Sequence, residues 1–303
     1  MSAQDARERL DQYLVRRGFA RSRRAARQML AQGLVRVNGR PRGKGELVGT
    51  SDRVEVAAAP VLAALAPDPD VALEILFCDS AVLVVNKSAP LPCHPLRPGE
   101  RGTVMNGVVA RFPRAAASGD DLREGGLVHR LDNGTSGALL VALERVAFAE
   151  LRAAIRAGCI RRTYHALVAG EFKEPLQIDA PLAHHPRSAR RMLAVGATRT
   201  GARPAATAVE PIRRIGRFSL VAVTPRTGMR HQIRVHLSQA GYPIAGDALY
   251  GGPPLRALAP GRFWLHLAEI EFRSPGSGAA RVRAPLPRDL EDALHEAGRS
   301  ARG

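Results

Sequence analysis

Cysteine is scarce in this chain of 303 residues: Cys78, Cys93 and Cys159 stand far apart and are odd in number. That excludes a disulfide framework and points to a reduced, cytoplasmic setting. Zinc-type spacing is missing too. There is no Cys-x-x-Cys, and neither His184-His185 nor His231 with His236 has the i, i+4 interval of a helical zinc pair. No Gly-x-x-x-x-Gly-Lys-Ser/Thr loop and no strand-linked dinucleotide fingerprint occurs, so neither a metal nor a cofactor is expected. No apolar run approaches the roughly 20 residues of a membrane span. Residues 1–10 are charged and lack an apolar h-region, so neither membrane insertion nor export is expected. Acidic residues are outnumbered, 28 against 45 basic ones, and the formal charge is +17. A basic surface gains by displacing counterions from phosphates, so a polyanionic partner is the direct physical reading. A chain rich in Ala, Arg, Gly and Pro can also gather arginine without function, so charge alone does not decide.

The hydrophobic content, 45%, is ordinary for a chain that buries a core. At roughly 100–200 residues per domain, the length allows one large domain or two unequal ones. Residues 1–57 behave as a unit. Leu10, Tyr13 and Leu14 form one apolar helical face, stopped by Gly18. Ser22 is a candidate N-cap for a second helix carrying Ala25, Ala26, Met29 and Leu30, with Gly33 beyond its end. Val35 and Val37 alternate with polar residues up to Asn38-Gly39, a type I′ hairpin signal, and Val54 and Val56 alternate again. The unit holds 13 Lys or Arg and 6 Asp or Glu, a net of 13 − 6 = +7. Arg21, Arg23, Arg24 and Arg27 cluster at the start of the second helix. A solvated face usually mixes signs, and this one does not.

The run Arg9-Leu10-Asp11, Ser22-Arg23, Ala26, Gly33, Val35, Val37-Asn38-Gly39 and Asp52-Arg53-Val54 resembles the S4-type RNA-binding domain across nearly all of residues 8–56. Residues 58–72, rich in Ala and Pro, read as a linker. A catalytic domain is expected over 73–303. Residues 73–87 are apolar and strand-like. Strand signals recur at 126–131, 138–142, 163–169, 206–210, 218–224 and 263–272, with helical patterns at 103–111, 145–157 and 230–240. Interrupted β pairing of this kind is α+β. The end from Gly298 is expected to fray.

The most informative segment runs Gly126-Leu127-Val128-His129-Arg130-Leu131-Asp132-Asn133-Gly134-Thr135-Ser136-Gly137. Two apolar stretches flank a polar turn, with Asp132 at the expected strand-to-turn junction, and Thr135 and Ser136 able to fix the turn. By spacing alone, an Asp-Asn-Gly turn residue is more often a cap than a catalyst. The segment His-Arg-Leu-Asp-x-x-Thr-Ser-Gly, however, resembles the signature of the RluA-type pseudouridine synthases at every fixed position. Val84-Val85-Asn86-Lys87, His94-Pro95, Thr103 with Asn106, and Arg162-Thr163-Tyr164 with Ala166, Val168 and Gly170 follow in the family's order. So do Thr227-Gly228-Met229-Arg230-His231-Gln232-Ile233-Arg234-Val235-His236, Gly241, Pro243-Ile244, Gly246-Asp247 and Tyr250-Gly251. The resemblance spans about residues 74–287. It departs at Ser88, where proline is usual, at Arg162, where lysine is, and at Met229-Arg230, where Arg-Thr or Lys-Thr is typical.

The resemblance implies an enzyme that isomerises uridine to pseudouridine in structured RNA. The fold it implies is a small S4-like domain joined to a catalytic domain on a mixed, mostly antiparallel sheet. Asp132 is then the catalytic carboxylate, stabilising positive charge on the sugar or attacking it covalently. Arg234 pairs with it and keeps it charged in a dry pocket, and Tyr164 stacks on the uracil near C5. A single evident carboxylate suits isomerisation better than hydrolysis. The target base must flip out of its stack, and Arg130 is placed to fill the gap. His129, Arg230 and His231, together with Arg21, Arg23, Arg24 and Arg27, are expected to meet RNA. Pairing with an S4-type domain makes large-subunit ribosomal RNA the leading substrate and transfer RNA the runner-up, acted on by a monomer. Two rival readings are a non-catalytic RNA-binding or ribosome-assembly factor and a nucleoside hydrolase. Deleting residues 1–57 is expected to weaken RNA binding and flatten its dependence on salt, because phosphate-neutralising charges are lost. An unchanged salt slope would make the basic helix a mere solvated face.

Overall fold

The computed structural model describes residues 7–299 apart from 21–22, 44, 58–64 and 98, and leaves the side chains of Arg24 and Gln28 undescribed. The Ser22 cap, Arg21, the Arg24 side chain and most of the expected linker therefore lie outside the described residues.

The N-terminal unit begins with β1 (Glu8–Arg9), α1 (Leu10–Arg16) and α2 (Arg23–Ala31). The short strands β2 (Val35–Val37), β3 (Arg40–Pro41), β4 (Leu47–Val48) and β5 (Val54–Val56) follow. Strands β3, β2 and β5 form one antiparallel sheet, and β1 pairs with β4. The residues expected to form the apolar face do so: Leu10, Leu14, Ala26, Leu30, Val35 and Val37 are buried together. At the expected hairpin, Asn38 and Gly39 both have positive φ, 53° and 77°, as a type I′ turn requires.

The larger unit, expected to be the catalytic domain, contains β6 (Glu74–Cys78), β7 (Val82–Lys87), α3 (Val104–Arg111), β8 (Ser136–Ala142), α4 (Arg145–Arg156), β9 (Arg161–Ala169) and β10 (Leu176–Asp179). These are followed by β11 (Leu182–His185), β12 (Ser188–Ala194), β13 (Ala206–Ile215), β14 (Phe218–Pro225), α5 (Gln232–Gln239), β15 (Leu265–Ser274), β16 (Gly278–Arg283) and α6 (Arg288–Arg299). Nine strands form one mixed sheet in the order β10-β13-β14-β9-β15-β8-β7-β6, with β16 also on β15. Only β15 and β8 run parallel, through His266↔Ser136 and Leu267↔Gly137. Every residue of β8 is buried, which is why its sequence is a continuous apolar run instead of an alternation. Gly137 serves that junction. It has φ +119°, and a Cβ there would lie 2.2 Å from the Leu267 carbonyl oxygen.

Four expectations need correction. Residues 126–131 are not a strand. They lie along β8 beyond the two residues that pair with β15 but make one bridge, Leu127 to Val141, because the next ladder bond is lost: the Leu140 N–H goes to the His129 ring and the Val128 carbonyl to Arg152. The apolar run at 73–87 is two strands, broken where the Asp79 carboxylate accepts from the Ala81 and Val82 backbone N–H groups. Residues 65–72 are no free linker: Leu65 joins the main core, and Asp68 bonds the 102–106 segment through Gly102 N (3.0 Å) and Asn106 O (3.0 Å). Finally, Gly298 and Arg299 continue α6. Strands β10 to β12, β16 and most of α6 carried no signal strong enough to be expected.

Three buried histidines set an acid limit. Burial lowers His129 to about 3, and His231 and His266 to about 4, from 6.5; His165 and His236 shift the same way for the same reason. A group whose folded pKa is depressed contributes stability above its unfolded pKa and loses it as pH falls toward the folded value. Stability is therefore expected to fall between pH 6.5 and 4. Urea unfolding at pH 5 should give a value about 2–5 kcal/mol below that at pH 7. An equal or higher stability at pH 5 would contradict the burial of neutral rings.

Candidate active site

Asp132 sits in the turn that leads into β8. Two buried groups fix that turn from behind. Lys87, at the end of β7 and 1% exposed, donates from Nζ to three carbonyls: Thr135 at 2.7 Å, Ser88 at 2.9 Å and Asn133 at 3.2 Å. Burial pushes Lys87 down to about 8. Cys93 clasps Leu131, its Sγ accepting from the backbone N–H at 3.3 Å and donating to the carbonyl at 3.2 Å. Arg262 adds a third hold, donating to the Gly134 carbonyl (2.5 Å) and to Ser136 Oγ (2.9 Å) while its Nε pairs with Asp289 at 2.6 Å. Gly134 is required here, since a Cβ would meet the Gly261 carbonyl oxygen at 2.4 Å and the Phe263 ring at 2.6 Å. The backbone of the turn is thus held rigid, while the Asp132 side chain remains 26% exposed.

Arg234, on α5, reaches the turn from the other side. Its Nη1 donates to Asp132 Oδ2 at 2.9 Å, and its Nε and Nη2 hold Asp247 at 2.7 and 2.8 Å. The guanidinium also lies over the Phe263 ring at 4.2 Å and the Tyr250 ring at 4.9 Å. Burial opposes its charge, but the Asp247 hydrogen bonds and the Asp132 carboxylate more than offset this, and its pKa is raised. The sequence expectation paired Arg234 with Asp132 and overlooked Asp247, the fully buried partner.

Tyr164 lies in β9 between its neighbours Val223 and Leu267 and is 6% exposed. Burial, reinforced by the Asp132 charge and opposed by Arg162, drives its phenol to about 12. Arg162 is buried and donates to the carbonyls of Pro225 (3.4 Å) and Thr227 (3.1 Å). In this fold, then, the arginine found where lysine is usual secures the segment leading into α5. His231 precedes α5, with Nε2 3.9 Å from Asp132 Oδ1 and Nδ1 2.8 Å from the Tyr250 hydroxyl.

The residues expected to meet RNA divide. Arg130 is 58% exposed beside the site, with Glu124 at 3.6 Å. His129 is a correction. It is buried, its Nε2 accepts the Leu140 backbone N–H at 3.1 Å, and burial leaves its ring neutral, so it braces β8 and does not face RNA. Arg230 is exposed but bound, donating to the Ala189 (3.0 Å) and Arg190 (3.3 Å) carbonyls of β12. In the N-terminal unit, Arg23 and Arg27 pair with the buried Asp11 at 3.5 and 2.9 Å while remaining about half exposed. Burial opposes the Asp11 charge, but the hydrogen bonds from Arg27 and Arg9 prevail and hold it at about 2. Among the described residues, no group of three or more His, Cys, Asp or Glu could hold a metal ion. No described helix is long and apolar enough to cross a membrane.

The chain matches the RNA pseudouridylate synthase family over residues 81–239 and the S4 domain over residues 8–54. It belongs to the RNA pseudouridylate synthase family and is an RNA pseudouridine synthase with an N-terminal S4 domain. It is similar to an uncharacterized RNA pseudouridine synthase of Chloroflexus aurantiacus, with 36% identity over 95% of this chain and 90% of that protein. It also resembles a ribosomal large subunit pseudouridine synthase D of Neisseria meningitidis, with 32% identity over 86% of this chain and 71% of the relative. Among solved structures, human RNA pseudouridylate synthase domain containing 1 superimposes with TM-score 0.58 and 26% identity, covering 73% of this chain and 87% of that one.

The geometry separates the two arginines flanking His231. Arg234→Ala is expected to lower the single-turnover rate at least 100-fold, since it frees Asp132 and leaves Asp247 buried without its partner. Arg230→Ala should leave that rate within about threefold, because the Tyr250 hydroxyl still holds β12 at the Met192 N–H, 2.9 Å away. Single-turnover assays on both variants check this; equal losses would contradict it.

Proposed function

We propose that this enzyme converts specific uridines of large-subunit ribosomal RNA to pseudouridine, with Asp132 as the reacting carboxylate and the target base flipped out of its stack. The observation that carries this reading is the partly exposed Asp132 carboxylate held by a buried arginine at 2.9 Å. The relatives named as large-subunit synthases support the choice of RNA, and ribosomal RNA as substrate implies work in the cytoplasm.

In this scheme the C1′–N1 bond breaks while Asp132 attacks C1′ or stabilises the charge forming on the sugar. The freed uracil turns within the site, C5 bonds to C1′ as any bond from Asp132 to C1′ breaks and releases the carboxylate, and the proton on C5 leaves as N1 gains one. Flipping brings a base to a carboxylate that no stacked base can reach, and the exposed Arg130 beside it is suited to fill the vacated place in the RNA. Tyr164 provides an aromatic face for the uracil. With its phenol at about 12, Tyr164 is neutral near pH 7, so it accepts the C5 proton only by passing its own proton on. The exposed parts of Arg23 and Arg27 supply phosphate contacts ahead of the catalytic domain.

Tritium release from C5-labelled transcripts of large-subunit ribosomal RNA and of transfer RNA tests the reading. Asp132→Asn is expected to abolish release while RNA affinity stays within a few fold. Tyr164→Phe keeps the stacking ring and should bind normally but release tritium roughly 10²–10⁴-fold more slowly. Full release by the Asn variant would refute the carboxylate assignment, and near-normal release by the Phe variant would reduce Tyr164 to a stacking platform. Release from transfer RNA alone would replace the ribosomal substrate.

A further inference from the structure

Asp132 presents two carboxylate oxygens, and Arg234 accounts for only one. The other, Oδ1, faces His231 Nε2 at 3.9 Å. His231 is an unusual residue in this fold. Its backbone is left-handed, φ 54° and ψ 18°, a conformation that non-glycine residues seldom hold without a compensating reason. Its side chain is only 11% exposed. Its ring stands edge-on to Tyr250 at 5.7 Å between centroids.

The hydrogen bonds around Tyr250 determine where the proton of His231 resides. The phenolic oxygen accepts the Met192 backbone N–H at 2.9 Å. Its own proton has one partner among the described residues, His231 Nδ1 at 2.8 Å. A phenol that donates to Nδ1 makes that nitrogen an acceptor. The proton of the neutral imidazole then sits on Nε2, the atom facing Asp132. The ring is neutral because burial lowers its pKa to about 4, despite the opposing pull of Asp132.

We propose that His231 is a positioning residue for Asp132, its Nε2–H directed at Oδ1 and its tautomer set by Tyr250, which ties the ring to strand β12. This rests on the reading of Asp132 as the reacting carboxylate. The 3.9 Å separation exceeds a formed hydrogen bond, and contacts of this kind commonly tighten only when substrate is bound. Met192 belongs to the hairpin of β11 and β12, which stands outside the main sheet and carries the exposed Arg187 and Arg190. RNA that seats this hairpin therefore also seats Tyr250, and through it the ring beside the carboxylate.

A double-mutant cycle tests the relay, with C5-tritiated large-subunit ribosomal RNA transcript as the probe. His231→Asn removes the imidazole yet suits a left-handed backbone, and Tyr250→Phe removes only the hydroxyl. Each is expected to lower the single-turnover rate at saturating RNA about 3- to 10-fold, the scale of one net hydrogen bond, with KM unchanged within twofold. The double variant should lose no more than the worse single one, because both act through one contact. A raised KM with an unchanged saturating rate would make His231 an RNA contact and overturn the proposal. Losses that multiply in the double variant would separate the two residues and overturn it too. Asp132→Asn is assayed alongside. If it stays active, the carboxylate reading fails and takes the relay with it; if it is dead while both single variants match wild type, only the relay fails.

Discussion

A buried guanidinium requires a complete set of partners, and the rest of the site is arranged around that need. Taking the charge of Arg234 out of water costs several kcal/mol unless its hydrogen bonds are filled. Asp247 fills two of them, Asp132 a third, and the rings of Phe263 and Tyr250 lie near the guanidinium. Asp247 precedes the short 3-10 helix Ala248–Tyr250, Arg234 belongs to α5, and Asp132 to the turn before β8. One ionic chain thus joins the turn before β8 to two segments that lie 102 or more residues further along the sequence. Asp132, the carboxylate proposed to react, is the only member of that chain left partly open to solvent.

The same economy governs the turn itself. A turn that held Asp132 loosely would waste the orientation that Arg234 imposes, since misplacement of about 1 Å can cost 100-fold in rate. Lys87, Cys93 and Arg262 prevent this by occupying the backbone groups on either side of Asp132. The Leu131, Gly134 and Thr135 carbonyls would otherwise be buried without these partners, at about 1–3 kcal/mol each. Gly134 lets Gly261 and Phe263 close over the turn, and Gly137 lets β15 run against β8.

The pairing of Asp132 with Arg234 was legible in the sequence because the family resemblance rests on particular side chains in fixed motifs. The motif around Asp132 named the carboxylate, the later motif named Arg234, and the Asn38-Gly39 turn and the apolar faces of α1 and α2 were read from local pattern. What escaped reading depends on contacts between distant segments. Lys87 and Cys93 look like ordinary strand and loop residues until the fold places them behind the turn. His129 belongs to the same motif as Arg130, yet its neighbour points to solvent while it turns inward to Leu140. The apolar stretch 126–131 has strand composition, but side chains of His129 and Arg152 take the Leu140 N–H and the Val128 carbonyl and stop its ladder with β8 after one bridge. The hairpin of β11 and β12 is rich in arginine and histidine. Only its docking on Tyr250 and Arg230 reveals it as an ordered element.

The central claim is that catalysis depends on how Asp132 is held, through Arg234, by a residue that never meets the substrate. The direct measurement is the single-turnover rate of Asp247→Asn on large-subunit ribosomal RNA transcript, with RNA affinity and folding measured on the same preparation. The account predicts a loss of about tenfold or more in rate, with affinity within threefold of wild type, because Arg234 loses the charged partner that fixes its position. A folded Asp247→Asn enzyme turning over at the wild-type rate would contradict it.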